Sequence, residues 1–584
     1  MILACSLKYI AMKSKMTRRQ FLGSAIGITL ASYSGFELSR WLDNPSGSAD
    51  SFVSSGVTWS NGKLLPSFSD ATSLDVATII GLSEEEQLLF VSLQGLVNKD
   101  NPSIYLLEED EEGRLTWLEE LGIPYRFLSS PWELFNIHRS VATGLVVYDP
   151  NLIDTVNIAT TRASIASELI VSPDLLSAVS KATGLLQRET YVNRFNSKTE
   201  AYQFALEELW QYCQHRILCG IAPFYPTGNP TVLGVSEFGS FDEASINNVG
   251  PISPNSFLRD YAIATNSFVF RLNTLDENER LLAQKILSLA DKGAVYMGWF
   301  DEGSSGGESS GVSLTSSESV RVITSDSAVN MSVLSAIRAS TPVQASNTSA
   351  TLANKIYLTF TFTEGDNLQY MEHHMRVIWD DPQRGLTPCN WTIDPVAVDI
   401  APTIISHYFS TKTTNDYFVC GPSGAGYMYP SLWPEVEIST YLNQTLSYCS
   451  QLGIEVYNVL NHPQGSPIPI PSPAASAYES ILNPIGVLFD WNTSESVSIL
   501  GSNLPASTGI LVSSQTELSD TLSNITSNYS GNGPVFHSVG LSSWTMSPTI
   551  LNTTLANFSA NIEVVSADSY FVLLREHLGL SKWV

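Results

Sequence analysis

The chain reads as an α/β protein in which an N-terminal α/β domain precedes a C-terminal (β/α)8, TIM-barrel-like domain. Three observations predict this. Short apolar segments alternate with helix-length stretches from residue 61 onward, the pattern of parallel sheets covered by helices. Eight such segments recur between 346 and 584, at 356–363, 388–393, 416–420, 454–459, 485–489, 509–512, 534–538 and 562–565. After the first residues, no run is apolar for long enough to cross a bilayer.

In chain order, the first element is a leader at 1–45. Arg18 and Arg19 precede the short apolar stretch Ile26-Gly27-Ile28-Thr29-Leu30-Ala31, a pattern read by the twin-arginine export machinery. The expected location is therefore extracellular, periplasmic or on the cell surface. A Ser-, Gly- and Asn-rich linker occupies 46–60. The N-terminal α/β domain spans 61–220, and its first helix opens at Ser83 with Glu86 at the capping-box position. A middle α/β region covers 221–345. It holds a helix over 276–289, a strand over 294–300 and the polar loop that follows. The barrel-like domain fills 346–584, with one helix expected over 367–379.

A formal net charge of -27 excludes nucleic acid as a natural partner, because a phosphate backbone needs a basic surface. The six cysteines are too few for a disulfide scaffold. Cys389 and Cys420, on neighbouring predicted strands, read as buried thiols or an incidental bridge. His373 and His374 are adjacent and cannot share an ion in the i, i+4 manner, so no metal is expected. No cofactor is expected either. Gly424-x-Gly426 is followed by Tyr427 and Tyr429 where a phosphate loop needs small residues.

In barrels and open parallel sheets, reactive groups sit beyond the C-terminal ends of strands. Those ends carry Glu364 and Asp366 after the first barrel strand, Asp394 after the second and Asp490 near the end of the fifth. His537 falls near the end of the seventh. Carboxylates converging from several strands suit glycoside hydrolysis, where one group is the acid and another the base or nucleophile. Asp366 leads, paired with Asp394 or Asp490, and Glu364 is a fourth candidate. Capping is the alternative for Asp366 and Asp394. Trp391, Trp491, Tyr427 and Tyr429 would hold sugar, with Asn367, His537, Gly424 and Gly426 around them. The loop tyrosines could equally pack against the domain.

Gly424 to Pro430 reads Gly-Ala-Gly-Tyr-Met-Tyr-Pro, and on this motif the chain resembles the GxGYxYP family, a group of glycoside-hydrolase-like proteins. Gln94 to Lys99 with Pro102, Gly144 to Asp149, Asn157 to Thr161, Arg259 to Ala262 and Glu364 to Gln369 are similar to that family's other recurrent segments. Where the family commonly has Ser-Asp-Gly-Asp-Asn, this chain has Thr363-Glu364-Gly365-Asp366-Asn367, which keeps an acid at the second place. The resemblance implies a barrel-like C-terminal domain, an associated N-terminal domain and action on carbohydrate. The expectation is an exported glycosidase with a carbohydrate substrate and no stable protein partner. A non-catalytic carbohydrate-binding or cell-surface protein is the alternative.

Overall fold

A short antiparallel pair, β1 (Val57–Thr58) and β2 (Ser67–Phe68), leads into two small parallel sheets. The first has β3 (Leu74–Thr78) between β4 (Ile104–Leu107) and β5 (Tyr125–Phe127). The second has β6 (Gly144–Val147) between β7 (Glu168–Val171) and β8 (Gln187–Thr190). The helix Glu84–Asp100 begins as its sequence predicts. Ser83 accepts from the Glu86 amide, and the Glu86 side chain returns to the Ser83 backbone. This is a computed structural model; it describes residues 56–60, 62–107, 116–223, 257–301, 307–346, 351–365, 367–558 and 561–581. The expected leader, most of the linker, residues 302–306 of the polar loop and Asp366 lie outside these.

A third sheet is wholly parallel, in the order β10 (Ser267–Val269), β9 (Gln214–Gly220), β11 (Val295–Gly298), β12 (Arg321–Thr324). The predicted 276–289 helix is present as Glu277–Leu289, with Asp276 accepting from two first-turn amides.

The barrel strands are β13 (Ile356–Phe362), β14 (Cys389–Ile393), β15 (Asp416–Cys420), β16 (Val456–Asn458), β17 (Gly486–Asn492), β18 (Ser496–Leu500), β19 (Leu504–Val512), β20 (Val535–Leu541) and β21 (Ile562–Val564). All eight predicted segments form strands, but the barrel closes on seven. β20 pairs with β13 along its whole length, from Ile356↔Val535 to Phe362↔Leu541, and takes the place an eighth strand would need. β21 is left on the other side of β13, beside Ile356–Leu358, while β14 pairs only with Thr361 and Phe362. β17 and β19 are joined by a short connection. The connection is too short for a helical crossover, and β18 fills it by pairing antiparallel to β19.

Alternation along the barrel strands separates two environments. Outward residues such as Phe360, Phe362, Trp391, Ile393 and Phe418 join the large core shared with the surrounding helices. The inward set is polar: Thr359, Thr361, Asn390, Asn458, Ser507 and Ser538 are all buried. The base of the lumen is plugged by the helix Ala567–Leu578. Its Tyr570, Phe571 and Leu574 meet Tyr357, Tyr417, Val456, Leu488 and Phe536 from five different strands in one cluster. The five described cysteines are free thiols, and Cys389 and Cys420 are buried without a bridge. Among the described residues no helix is long and apolar enough to cross a membrane.

Candidate active site at the barrel mouth

The end of β13 is shaped by one glycine. A Cβ on Gly365 would lie 1.5 Å from the Thr392 carbonyl oxygen, so only glycine lets this turn cross over β14. The Gly365 amide donates to Thr392 Oγ1 at 2.9 Å and fixes the crossing. Glu364, just before it, is held at φ 77°, a left-handed conformation that a long side chain adopts only under constraint. Between 356 and 373 it is the only described residue that is not buried.

Asn367 is the helix cap here: its Oδ1 accepts from the Tyr370 amide at 2.9 Å. The helix expected over 367–379 is broken at His373 into Leu368–Glu372 and His374–Trp379. Arg376 pairs with Asp380, and Glu372 turns inward to accept from the Val329 amide at 3.0 Å. His374 stacks on Trp544 with ring centres 5.1 Å apart, placing a half-buried aromatic pair on the same rim.

Asp490 lies inside the lumen. β17 and β13 are not neighbours in the sheet, yet the Asp490 carboxyl faces Thr361 of β13 as well as Ser538 of β20. That contact has to cross the interior. Gly509 makes room for it, since a Cβ there would be 2.7 Å from Asp490 Oδ1. Neither carboxylate oxygen has a well-formed hydrogen bond. Burial dominates and pushes the pKa up to about 7, with the Thr361 and Ser538 hydroxyls opposing it in part. Asp490 has no exposed surface, and Thr361 is two residues below Thr363, so the carboxyl sits one inward step beneath the mouth.

The remaining predicted residues fall elsewhere. Asp394 is buried and its Oδ1 accepts from the Val396 amide at 3.0 Å, the turn-capping arrangement. Trp391 is not a sugar platform. It points out of the barrel, stacks on Phe362 at 4.5 Å, packs on Trp379 and donates Nε1 to Asp416. An outward position on β14 puts its ring under the helical layer rather than in the lumen. His537 is near the start of β20, which runs on to Leu541, and it pairs with Glu495 at 2.9 Å on the outer face. It is therefore absent from the mouth. Trp491 is half-buried and packs against the cluster that contains Tyr429.

Tyr427 and Tyr429 are 2% and 1% exposed, which places their rings in an interdomain contact rather than on an open face. The Tyr427 hydroxyl donates to Glu308 and is within hydrogen-bond distance of the Tyr429 hydroxyl, which donates in turn, and the Tyr427 backbone exchanges two hydrogen bonds with Val322 of β12. Gly424 and Gly426, at φ 154° and 87°, let the loop wrap Arg321. A Cβ on Gly424 would collide with Tyr441 and Thr445, and one on Gly426 would press on the Arg321 methylenes. Arg321 is fully buried. It donates to the Ala425 carbonyl and to Gln444, and lies over the Tyr441 ring. Burial lowers its pKa to about 10, which leaves it charged at neutral pH.

One acid near this rim was not singled out from the sequence. Asp326 follows β12 and accepts from Gln369 Nε2 at 2.5 Å. Burial raises its pKa against the pull of Arg271. The short apolar run Val320–Ile323, ending in Thr324-Ser325-Asp326, is the signal that could have found it. Among the described residues no group of three His, Cys, Asp or Glu side chains is placed to hold a metal ion.

A closed parallel barrel with acids at its C-terminal mouth is the architecture expected of a glycoside-hydrolase-like protein. Sequence comparison agrees. Residues 354–575 match the profile described as "GxGYxYP putative glycoside hydrolase C-terminal domain". The first, second and third domains of the same family match 73–140, 142–213 and 246–336. The chain belongs to the GxGYxYP family. A crystal structure described as a "putative hydrolase" from Bacteroides thetaiotaomicron superposes with a TM-score of 0.73 at 21% identity, covering 88% of this chain and 96% of that one. At that identity the likeness speaks for the fold. No curated protein matches.

Proposed function

We propose that the barrel mouth hydrolyses a glycosidic bond of an extracellular oligo- or polysaccharide, and that Glu364 supplies one of the two working carboxyls. The observation that carries this is the state of Glu364 itself. It is an acid held at φ 77° at the C-terminal end of a barrel strand, with access to solvent in an otherwise buried run. Strained backbone of this kind costs on the order of 1–3 kcal/mol and persists where the surrounding structure enforces it. Glycoside hydrolysis needs one carboxyl to protonate the leaving oxygen and another to attack or to activate water. Asp366, two residues on in the sequence, is the other acid of this segment. Asp490 stays largely protonated below neutral pH and so adds little charge beneath them. Trp491, Trp544 and His374 offer ring faces around the rim. The twin-arginine leader would deliver the enzyme to where polysaccharide is met.

The test is turnover of a panel of chromogenic glycosides and natural polysaccharides from about pH 4 to 8, a range that brackets carboxyl pKa values. Glu364→Gln, Asp366→Asn and Asp490→Asn are assayed beside the native chain. Loss of hydrolysis in folded Glu364→Gln supports the reading. Binding of glycans by native and variant proteins alike, with no cleavage by either, replaces it with a carbohydrate-binding protein on the same fold.

A further inference from the structure

We propose that the second working carboxylate is Asp326, carried by the third sheet rather than by the barrel, so that the hydrolytic site is shared between two domains. This rests on the glycosidase reading and assigns its missing partner.

β12 and the residues after it run along the barrel like a rail. Arg321 bonds the Ala425 carbonyl at 3.1 Å and Gln444 at 2.6 Å. Val322 and Tyr427 form an antiparallel bridge, and Thr324 and Asn367 form a parallel one. Gln369 then reaches Asp326, and the Val329 amide donates to Glu372. The first ties join β12 to the segment after β15, and the last three bring its C-terminal end against that of β13. In parallel α/β sheets these are the ends at which ligands bind, so two binding edges face each other at one seam.

Solvent access along the seam is uneven in a telling way. From 319 to 337 every residue is buried except Asp326, and from 356 to 373 every described residue is buried except Glu364. The two runs lie side by side, and the one residue of each that is not fully buried is an acid. Deeper in the lumen is Asp490, fully buried, with its carboxyl facing the Thr361 and Ser538 hydroxyls. Each of these acids stands at the C-terminal end of a parallel strand, where a ligand is met, and the burial of Asp326 raises its pKa, as a proton-donating carboxyl requires.

The experiment uses the full chain and a glycoside that the native protein cleaves. Asp326→Asn is expected to lower kcat by about a hundredfold or more, the scale of a lost acid or base, with its melting temperature little changed. Gln369→Ala removes the tie and keeps the acid. It is expected to lower the melting temperature while kcat stays within about tenfold, less than the loss of an acid or base would cost. Turnover by Asp326→Asn within a few-fold of native overturns the inference and leaves the parent reading standing. If Asp326→Asn does not fold, Asp326→Ser assayed with added azide or formate takes its place. Recovery of turnover by the small anion supports the assignment, and a folded variant that is active without it overturns the assignment. A native protein that cleaves no glycoside overturns the parent reading and this inference together.

Discussion

The segment after β13 and the segment after β15 leave the same rim of the barrel, and both run alongside β12. One opens to solvent at Glu364. The other, the signature from Gly424 to Pro430, closes over Arg321 and buries both of its tyrosines. Both need special backbone, yet for different reasons. Gly365 allows a close crossing beneath a partly exposed acid, while Gly424 and Gly426 allow a loop to wrap a neighbouring domain. The more recognisable motif is thus the docking device, and the less conspicuous turn carries the acid.

That contrast breaks first at Gly365. Gly365→Ala sets a methyl against the Thr392 carbonyl, and its expected cost exceeds about 4 kcal/mol, read as loss of soluble protein. Gly426→Ala meets the movable Arg321 methylenes at 3.0 Å and the Val322 carbonyl at 3.2 Å, a milder crowding added to the strain of φ 87°, and its protein is expected to be destabilised yet remain soluble.

Asp490 gives the next effect. Its folded pKa of about 7 lies above the ordinary 3.8, so the folded state holds the proton more tightly. The stability this provides is complete below the ordinary value and is lost as pH rises through about 7. The span corresponds to on the order of 4 kcal/mol. Urea midpoints at pH 5 and pH 8 should fall for the native chain and fall much less for Asp490→Asn. Equal falls would show that the lumen carboxyl is not the cause.

Arg321→Ala strips the Ala425 carbonyl and Gln444 of a donor and leaves a void beside Tyr441. A loss of about 3 kcal/mol is expected, visible as a lower melting temperature and faster proteolysis between β12 and the barrel. Smallest is Glu364→Gly. Relief of the left-handed strain should raise stability by about 1 kcal/mol while turnover disappears. A variant that is neither more stable nor inactive would remove the distinction between the two segments.

Much of the fold was legible from local chemistry. Ser83 and Glu86 announce a helix start because their reciprocal bonds are local, and eight apolar runs mark eight strands. Closure was not legible, because whether β20 or β21 lies against β13 depends on pairings far apart in the chain. The mouth was legible in part. Glu364 and Gly365 stand where strand ends predict, but Trp391 looked like a platform because its aromatic ring drew more notice than its register. The alternation Thr359-Phe360-Thr361-Phe362 and Asn390-Trp391-Thr392-Ile393 contains the answer, with polar residues inward and aromatic and aliphatic ones outward. Asp326 was hidden because its importance comes from the ties between β12 and the barrel, which leave no mark in local sequence.

β13 finds its partners late. It is the first barrel strand to be made, yet it bonds along its full length to β20 and along its first half to β21, near the end of the chain. At ribosomal speeds of about 5–20 residues per second, Ile356–Phe362 waits roughly 10–30 s for β20 to emerge. During that time an apolar strand edge stands unpaired, the kind of edge that recruits other chains. Newborn copies crowded on one messenger are therefore most exposed to tangling at this strand, and a chaperone that shields it would do so before the barrel has closed.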